Sequence, residues 1–166
     1  MIETIIRRSS HLATLMAVLA VPATTAQEPE AVEPEITIQA LIVEPEKPAA
    51  DTLCRLRIQL HNHGDQVASQ LGFGVTINGK EIPVYSNQLF MFPLPPGASS
   101  ELSLFNFWST ETSRPMPKDG RLKLEVTLRE AQRTKIEMVE GVETWTPLGE
   151  VPGLPVTSSL TLEMSR

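Results

Sequence analysis

The chain of 166 residues holds one cysteine, Cys54, so no intramolecular disulfide can staple it. Aromatic residues are scarce, with two Trp, one Tyr and five Phe, and His occurs three times. A run of about 20 apolar residues, the length that spans a bilayer as a helix, is missing. So is any basic cluster: the formal net charge is −6. An acidic chain without Lys/Arg clusters does not suit nucleic acid or an anionic membrane surface, both of which select positive charge. The motifs of common catalytic sites are missing as well. There is no Gly-x-Ser-x-Gly elbow, no phosphate-binding loop, no HExxH and no Cys beside a base. We therefore expect no enzyme and no cofactor. A carboxylate pair for glycoside hydrolysis needs no local motif, but the glutamates fall where solvated strand faces would put them.

Residues 1–26 read as an export signal. Arg7 and Arg8 precede the uncharged run LATLMAVLAVPA (12–23), and Thr24-Thr25-Ala26 supplies small residues for cleavage after Ala26. The run is too short to cross a bilayer; the alternative is an uncleaved N-terminal anchor. Ser9-Ser10-His11 after the arginine pair does not fit a twin-arginine signal. Cleavage would remove Arg7, Arg8 and Glu3, leaving a chain one unit more negative, with no membrane span, in the periplasm or outside the cell. Residues 27–35 contain EPEAVEPE, rich in Pro and Glu. Such a leader cannot offset its ordering entropy by burial, so it is expected to be extended and solvated. The remaining residues, 36–166, are one domain's worth of chain.

That domain alternates apolar and polar residues in short segments split by turn residues, the pattern of an all-β sandwich. EITIQALIV (35–43) places Ile36, Ile38, Ala40 and Ile42 on one face. In LCRLRIQLHN (53–62), Cys54, Leu56, Ile58 and Leu60 point one way and Arg55, Arg57, Gln59 and His61 the other, which puts Cys54 in the core. Leu71, Phe73, Val75 and Ile77 share a face before Asn78-Gly79, a pair suited to a two-residue turn with positive φ. Leu102 and Leu104 point inward, and the apolar run Phe105 to Trp108 implies a bulge. Leu122, Leu124, Val126 and Leu128 alternate with Lys123, Glu125, Thr127 and Arg129. A hairpin is expected to pivot at Glu140-Gly141, and Val156 to Met164 close the domain. With no sustained helical spacing, the expectation is an immunoglobulin-like antiparallel β-sandwich of about seven or eight strands.

The order CRLRIQLHNHG, ASQLGFGVTING, LPPGASSELSL, GRLKLEVTL resembles the bacterial CARDB-like immunoglobulin-fold domains over roughly residues 36–130. In those domains a strand ends in Asn-x-Gly and a Leu-x-Pro-Gly turn precedes a later strand. The resemblance implies an extracytoplasmic adhesion, scaffold or accessory module without catalysis, and offers no catalytic residues to carry over.

Two candidate sites follow. In HNHG (61–64), His61 and His63 fall on the same side of a strand about 6 to 7 Å apart by the rise per residue, which allows two ligands to one metal. A structural zinc takes four ligands and a catalytic one three with water, and no residue is placed to complete the set. The simpler reading is a turn in which Asn62 bonds its own backbone and Gly64 supplies positive φ. The second candidate is apolar. YSNQLFMFPLPPG (85–97), LFNFW (104–108) and ETWTPLGEVPGLP (143–155) hold most of the aromatics. Tyr85, Phe90, Phe92, Phe107, Trp108 and Trp145 form either a satellite core under long loops or an exposed surface for another envelope or extracellular protein. The first expectation is thus a non-enzymatic binding module, the second a metal-binding envelope protein using His61 and His63.

Overall fold

In a computed structural model of the chain, residues 32–83, 88–109 and 119–165 are described. The described residues hold nine β-strands: β1 (Ile36–Glu44), β2 (Leu53–Asn62), β3 (Val67–Ile77), β4 (Lys80–Glu81), β5 (Leu89–Phe90), β6 (Ser99–Trp108), β7 (Arg121–Val139), β8 (Val142–Glu150) and β9 (Val156–Glu163). They form two antiparallel sheets. One has the order β1-β2-β6; the other has β4-β3-β7-β8, with β5 also on β3 and β9 also on β7. Placing β1-β2-β6 against β4-β3-β7 with the returning β8 and β9 is the A-B-E against C′-C-F-G arrangement of an immunoglobulin-type sandwich.

Alternation explains which residues meet between the sheets. Cys54, Leu56, Ile58 and Leu60 of β2 face Leu71, Phe73, Val75 and Ile77 of β3 and Leu122, Leu124, Val126 and Leu128 of β7 in one buried cluster. Burying each such side chain contributes about 1.5–3 kcal/mol, and together they set the register, since a slip of one residue would turn every one of them to water.

Bulges interrupt three of the strands, and one of them moves an expected face. In β1 the register shifts between Ile38 and Ala40, leaving Gln39 unpaired. Beyond that extra residue the pleat is inverted, so Leu41 and Val43 point to the core in place of the expected Ala40 and Ile42. In β6 the irregularity falls between Ser103 and Phe105, at Leu104, just ahead of the expected run. In β3 the pairing breaks on both sides of Gly72, with Gln70 at φ 52°. Beside that break the Arg129 side chain crosses Gly74 to reach Glu81, and a Cβ there would displace its flexible end.

The two turns legible as dipeptides form as expected. Asn78-Gly79 has φ of 50° and 75°, and Glu140-Gly141 has 53° and 82°, the doubly positive pattern that matches hairpin twist. The leader does not stay clear of the domain at its last residues: the Glu35 N–H donates to the Pro152 carbonyl, and Pro34 rests on Gly153.

Candidate functional site

β7 is the longest strand, and its neighbours do not cover all of it. Its first half pairs with β9 on one side and β3 on the other; its second half pairs with β8. The pairing with β3 ends at Thr134, opposite Val67, the first residue of β3. From Lys135 to the Glu140-Gly141 turn and back to Thr146, β7 and β8 have only each other as strand partners among the described residues. These five residue pairs project roughly 17 Å at about 3.4 Å each.

The projecting arm exposes apolar residues beside the charged Lys135, Glu137, Glu140 and Glu143. Met138 is 68% exposed, Val142 65% and Val139 51%. Ile136 and Trp145 are directly opposite each other and half-buried, and the Trp145 indole N–H donates to Glu143. Their face continues that of Thr134, whose buried hydroxyl meets Ser69 Oγ at 2.6 Å. A two-stranded hairpin alone is marginal in water, so this arm is held at its root and carries its apolar residues away from the core.

The expected aromatic surface is divided. Phe107 is a correction: only 1% exposed, it packs opposite Cys54 and edge-on to Phe105, so it belongs to the core and offers no contact surface. The strand phase after the Leu104 bulge turns it inward and its neighbour outward. Trp108 is accordingly 51% exposed, opposite an equally exposed Leu53 at the end of β2. Phe90 and Phe92 are half-buried against the core, Phe90 edge-on to Phe73 at 5.7 Å, while Leu89 and Met91 beside them are exposed. Tyr85 lies outside the described residues. Trp145 and Trp108 sit at opposite ends of the domain: the arm leaves where β1 begins and β2 ends, whereas Leu53 and Trp108 lie where β2 begins and β6 ends. Met138, Val139 and Val142 were not among the expected contacts. The Val-Glu-Gly-Val sequence at the turn signals the hairpin, but not that β3 stops short of it.

HNHG resolves around its asparagine. Asn62 is 1% exposed; its Nδ2 donates to the Gln66 and Leu94 carbonyls and its Oδ1 accepts the Gly64 N–H. It ties the end of β2 to the start of β3 and to the β5–β6 connection. Gly64 has no positive φ, contrary to the expectation; a Cβ there would lie 2.7 Å from Glu35 Oε2 and displace that flexible carboxylate. His61 and His63 do come together, with ring centroids 4.2 Å apart. One nitrogen of each ring meets a hydroxyl, His61 Nδ1 with Ser99 and His63 Nε2 with Thr37. No group of three or more His, Cys, Asp or Glu suited to a metal occurs among the described residues.

Two clefts remain. One is lined by Arg129, Glu130, Ala131 and Glu150 to Leu154, with Arg129 already paired to Glu81. The other, an open cleft of about 460 Å³, lies beside Leu53 and is lined by Glu44, Pro45, Cys54, Arg55 and Asn106. Burial pushes the Cys54 thiol pKa up, which suits a core residue better than a nucleophile. No helix among the described residues is long and apolar enough to cross a membrane. Compared with known family models, curated proteins and solved structures, the chain matches none.

Proposed function

We propose that the chain is an exported, non-enzymatic binding or accessory module that acts through protein–protein contacts outside the cytoplasm. The observation that carries this reading is the β7–β8 arm. Beyond the edge of the sandwich it presents Val139 and Val142 to solvent on one face and Met138 on the other, and exposed apolar groups on a projecting element suit a contact surface. The signal-like residues 1–26 and the resemblance to CARDB-like domains support placement in the periplasm or outside the cell, with another envelope or extracellular protein as partner. The test is capture from the native envelope fraction with the full chain as bait, compared with Val142→Lys and Trp145→Ala baits of checked fold. A partner lost with these substitutions supports the module; partners held equally by all three baits refute the arm as its surface.

The alternative, a metal-binding envelope protein, rests on the 4.2 Å approach of His61 and His63. Calorimetry with zinc and copper on the wild type and on His61→Ala decides it. Submicromolar binding that vanishes in the variant would displace the first reading; weaker binding, or binding indifferent to the substitution, ends the second.

A further inference from the structure

We propose that the partner of the arm supplies an extended segment, which adds as a strand to the open edge of β7 in line with β3. This rests on the binding-module reading and names how its partner is held.

The direction of the main-chain groups follows from the pairing on either side. The Ala68 N–H donates to the Leu94 carbonyl and the Leu94 N–H to the Ala68 carbonyl. Ala68 thus turns its main chain away from β7, and Val67 and Ser69 turn theirs toward it. Val67 lies opposite Thr134, so Thr134 is the last residue of β7 to bond β3. Ile136 and Met138 point their N–H and C=O groups the same way beyond it. The turn gives the same phase: Val139 and Val142 flank the two-residue Glu140-Gly141 turn and close it as a hydrogen-bonded pair. Lys135 and Glu137 then bond β8, and Ile136 and Met138 do not. Pro147 agrees, since it lies opposite Thr134 and its missing N–H would have pointed away from β7. The donors and acceptors of Ile136 and Met138 are left open, with no hydrogen-bond partner among the described residues.

A row of unpaired main-chain groups is complemented by another extended main chain. Such a strand also meets both faces of the arm, where its exposed apolar residues are divided. Residues opposite Ile136 and Met138 would share their face with Trp145, and residues between would share that of Lys135, Glu137 and Val139. Lys135 and Glu137 pair with each other at 2.7 Å. The segment that fits is therefore apolar at alternate positions beside Ile136 and Met138, and polar and uncharged between them.

Other pairings fit less well. If a second copy brought its own β7 edge antiparallel, with Ile136 opposite Met138, Glu137 would face Glu137 at the closest spacing of a sheet. Setting Ile136 against Ile136 instead runs Met138 onto Thr134 of the copy, where β3 already lies. On the other side of the arm, Pro147 offers no donor and the pairing of β8 shifts at Leu148. The free side of β6 is broken by the bulge at Leu104.

Amide hydrogen exchange of the full chain, read by NMR, tests the edge first. The Ile136 and Met138 amides should exchange faster than those of Glu137 and Val139, which are bonded to β8. Adding the purified protein that the full chain captures from the envelope fraction should slow Ile136 and Met138 by about tenfold or more. Met138→Pro removes an outward N–H and leaves the bonds to β8, so it should weaken that partner's binding by about tenfold or more. Met138→Ala keeps the N–H and should bind at least severalfold tighter than Met138→Pro. Slow exchange of Ile136 and Met138 in the chain alone, or equal binding by the two Met138 variants, would overturn the proposal. Protection that grows with the chain's own concentration would put a second copy on the edge and overturn it too. If Val142→Lys loses the partner and Met138→Pro holds it, the module reading stands and strand addition is removed. If Val142→Lys and Trp145→Ala both hold it, the arm itself is refuted as the surface.

Discussion

Replacing Asn62 should cost more stability than its place in an apparent surface turn suggests. The side chain is buried and makes three hydrogen bonds, to the Gln66 and Leu94 carbonyls and from the Gly64 N–H, at 2.8 to 2.9 Å. In Asn62→Ala all three groups lose it. The Leu94 carbonyl still accepts the Ala68 N–H, and the Gly64 and Gln66 groups are near enough to the surface for water to replace part of the loss. Taking each bond near the usual net value of about 1 kcal/mol, the expected destabilisation is about 2–3 kcal/mol, or roughly 6–15 °C in Tm. Asn62→Asp keeps the volume and the acceptor but sets a carboxylate against two carbonyls. Its folded pKa would be raised, so its destabilisation should be smallest at low pH and grow as pH rises through the ordinary carboxylate range. Urea unfolding followed by far-UV circular dichroism, at acid and neutral pH, measures both variants. An Asn62→Ala loss under about 0.5 kcal/mol, or an Asn62→Asp variant as stable as the wild type at neutral pH, would refute the claim that this residue joins the two sheets.

Neighbouring aromatics should differ sharply. Phe107→Ala should cost about 3–5 kcal/mol in the same unfolding assay and Trp108→Ala about 1 kcal/mol or less, because one is in the core and the other faces water. Gly153→Ala should destabilise by about 2 kcal/mol or more, since φ is 76° and the added Cβ would clash with the backbone of Pro34; faster hydrogen exchange at the Glu35 amide would report release of the leader's end. Cys54 should react with a thiol reagent only as fast as the protein opens. Burial raises its pKa when folded, so the unfolded chain ionises first, near pH 8.5, and stability should fall as pH rises through that range; a thiol titrated rapidly in the native protein at pH 7 would contradict its burial.

Much of the fold was legible because alternation and turn chemistry are local. Cys54 to Leu60, Leu71 to Ile77 and Leu122 to Leu128 each declare an inner face within a few residues, and Asn-Gly and Glu-Gly dipeptides declare their turns. The faces that were misread lie beyond bulges. Nothing in ITIQALIV says that Gln39 will be skipped, because the skip is set by how β1 matches β2. Phe107 and Trp108 read alike in sequence, and only strand phase after Leu104 makes one core and the other surface.

The candidate site lies further from the sequence still. Composition and periodicity determined an acidic, disulfide-free, all-β chain with a hairpin at Glu140-Gly141 and two histidines on one side of a strand. Whether Met138, Val139 and Val142 are buried depended on where β3 begins relative to β7, and the placement of Trp108 and Trp145 at opposite ends depended on the order of strands in two sheets. Exposure is a property of what neighbours leave uncovered. A residue's own pattern determines its side of the strand, but only the tertiary arrangement decides whether anything lies on that side.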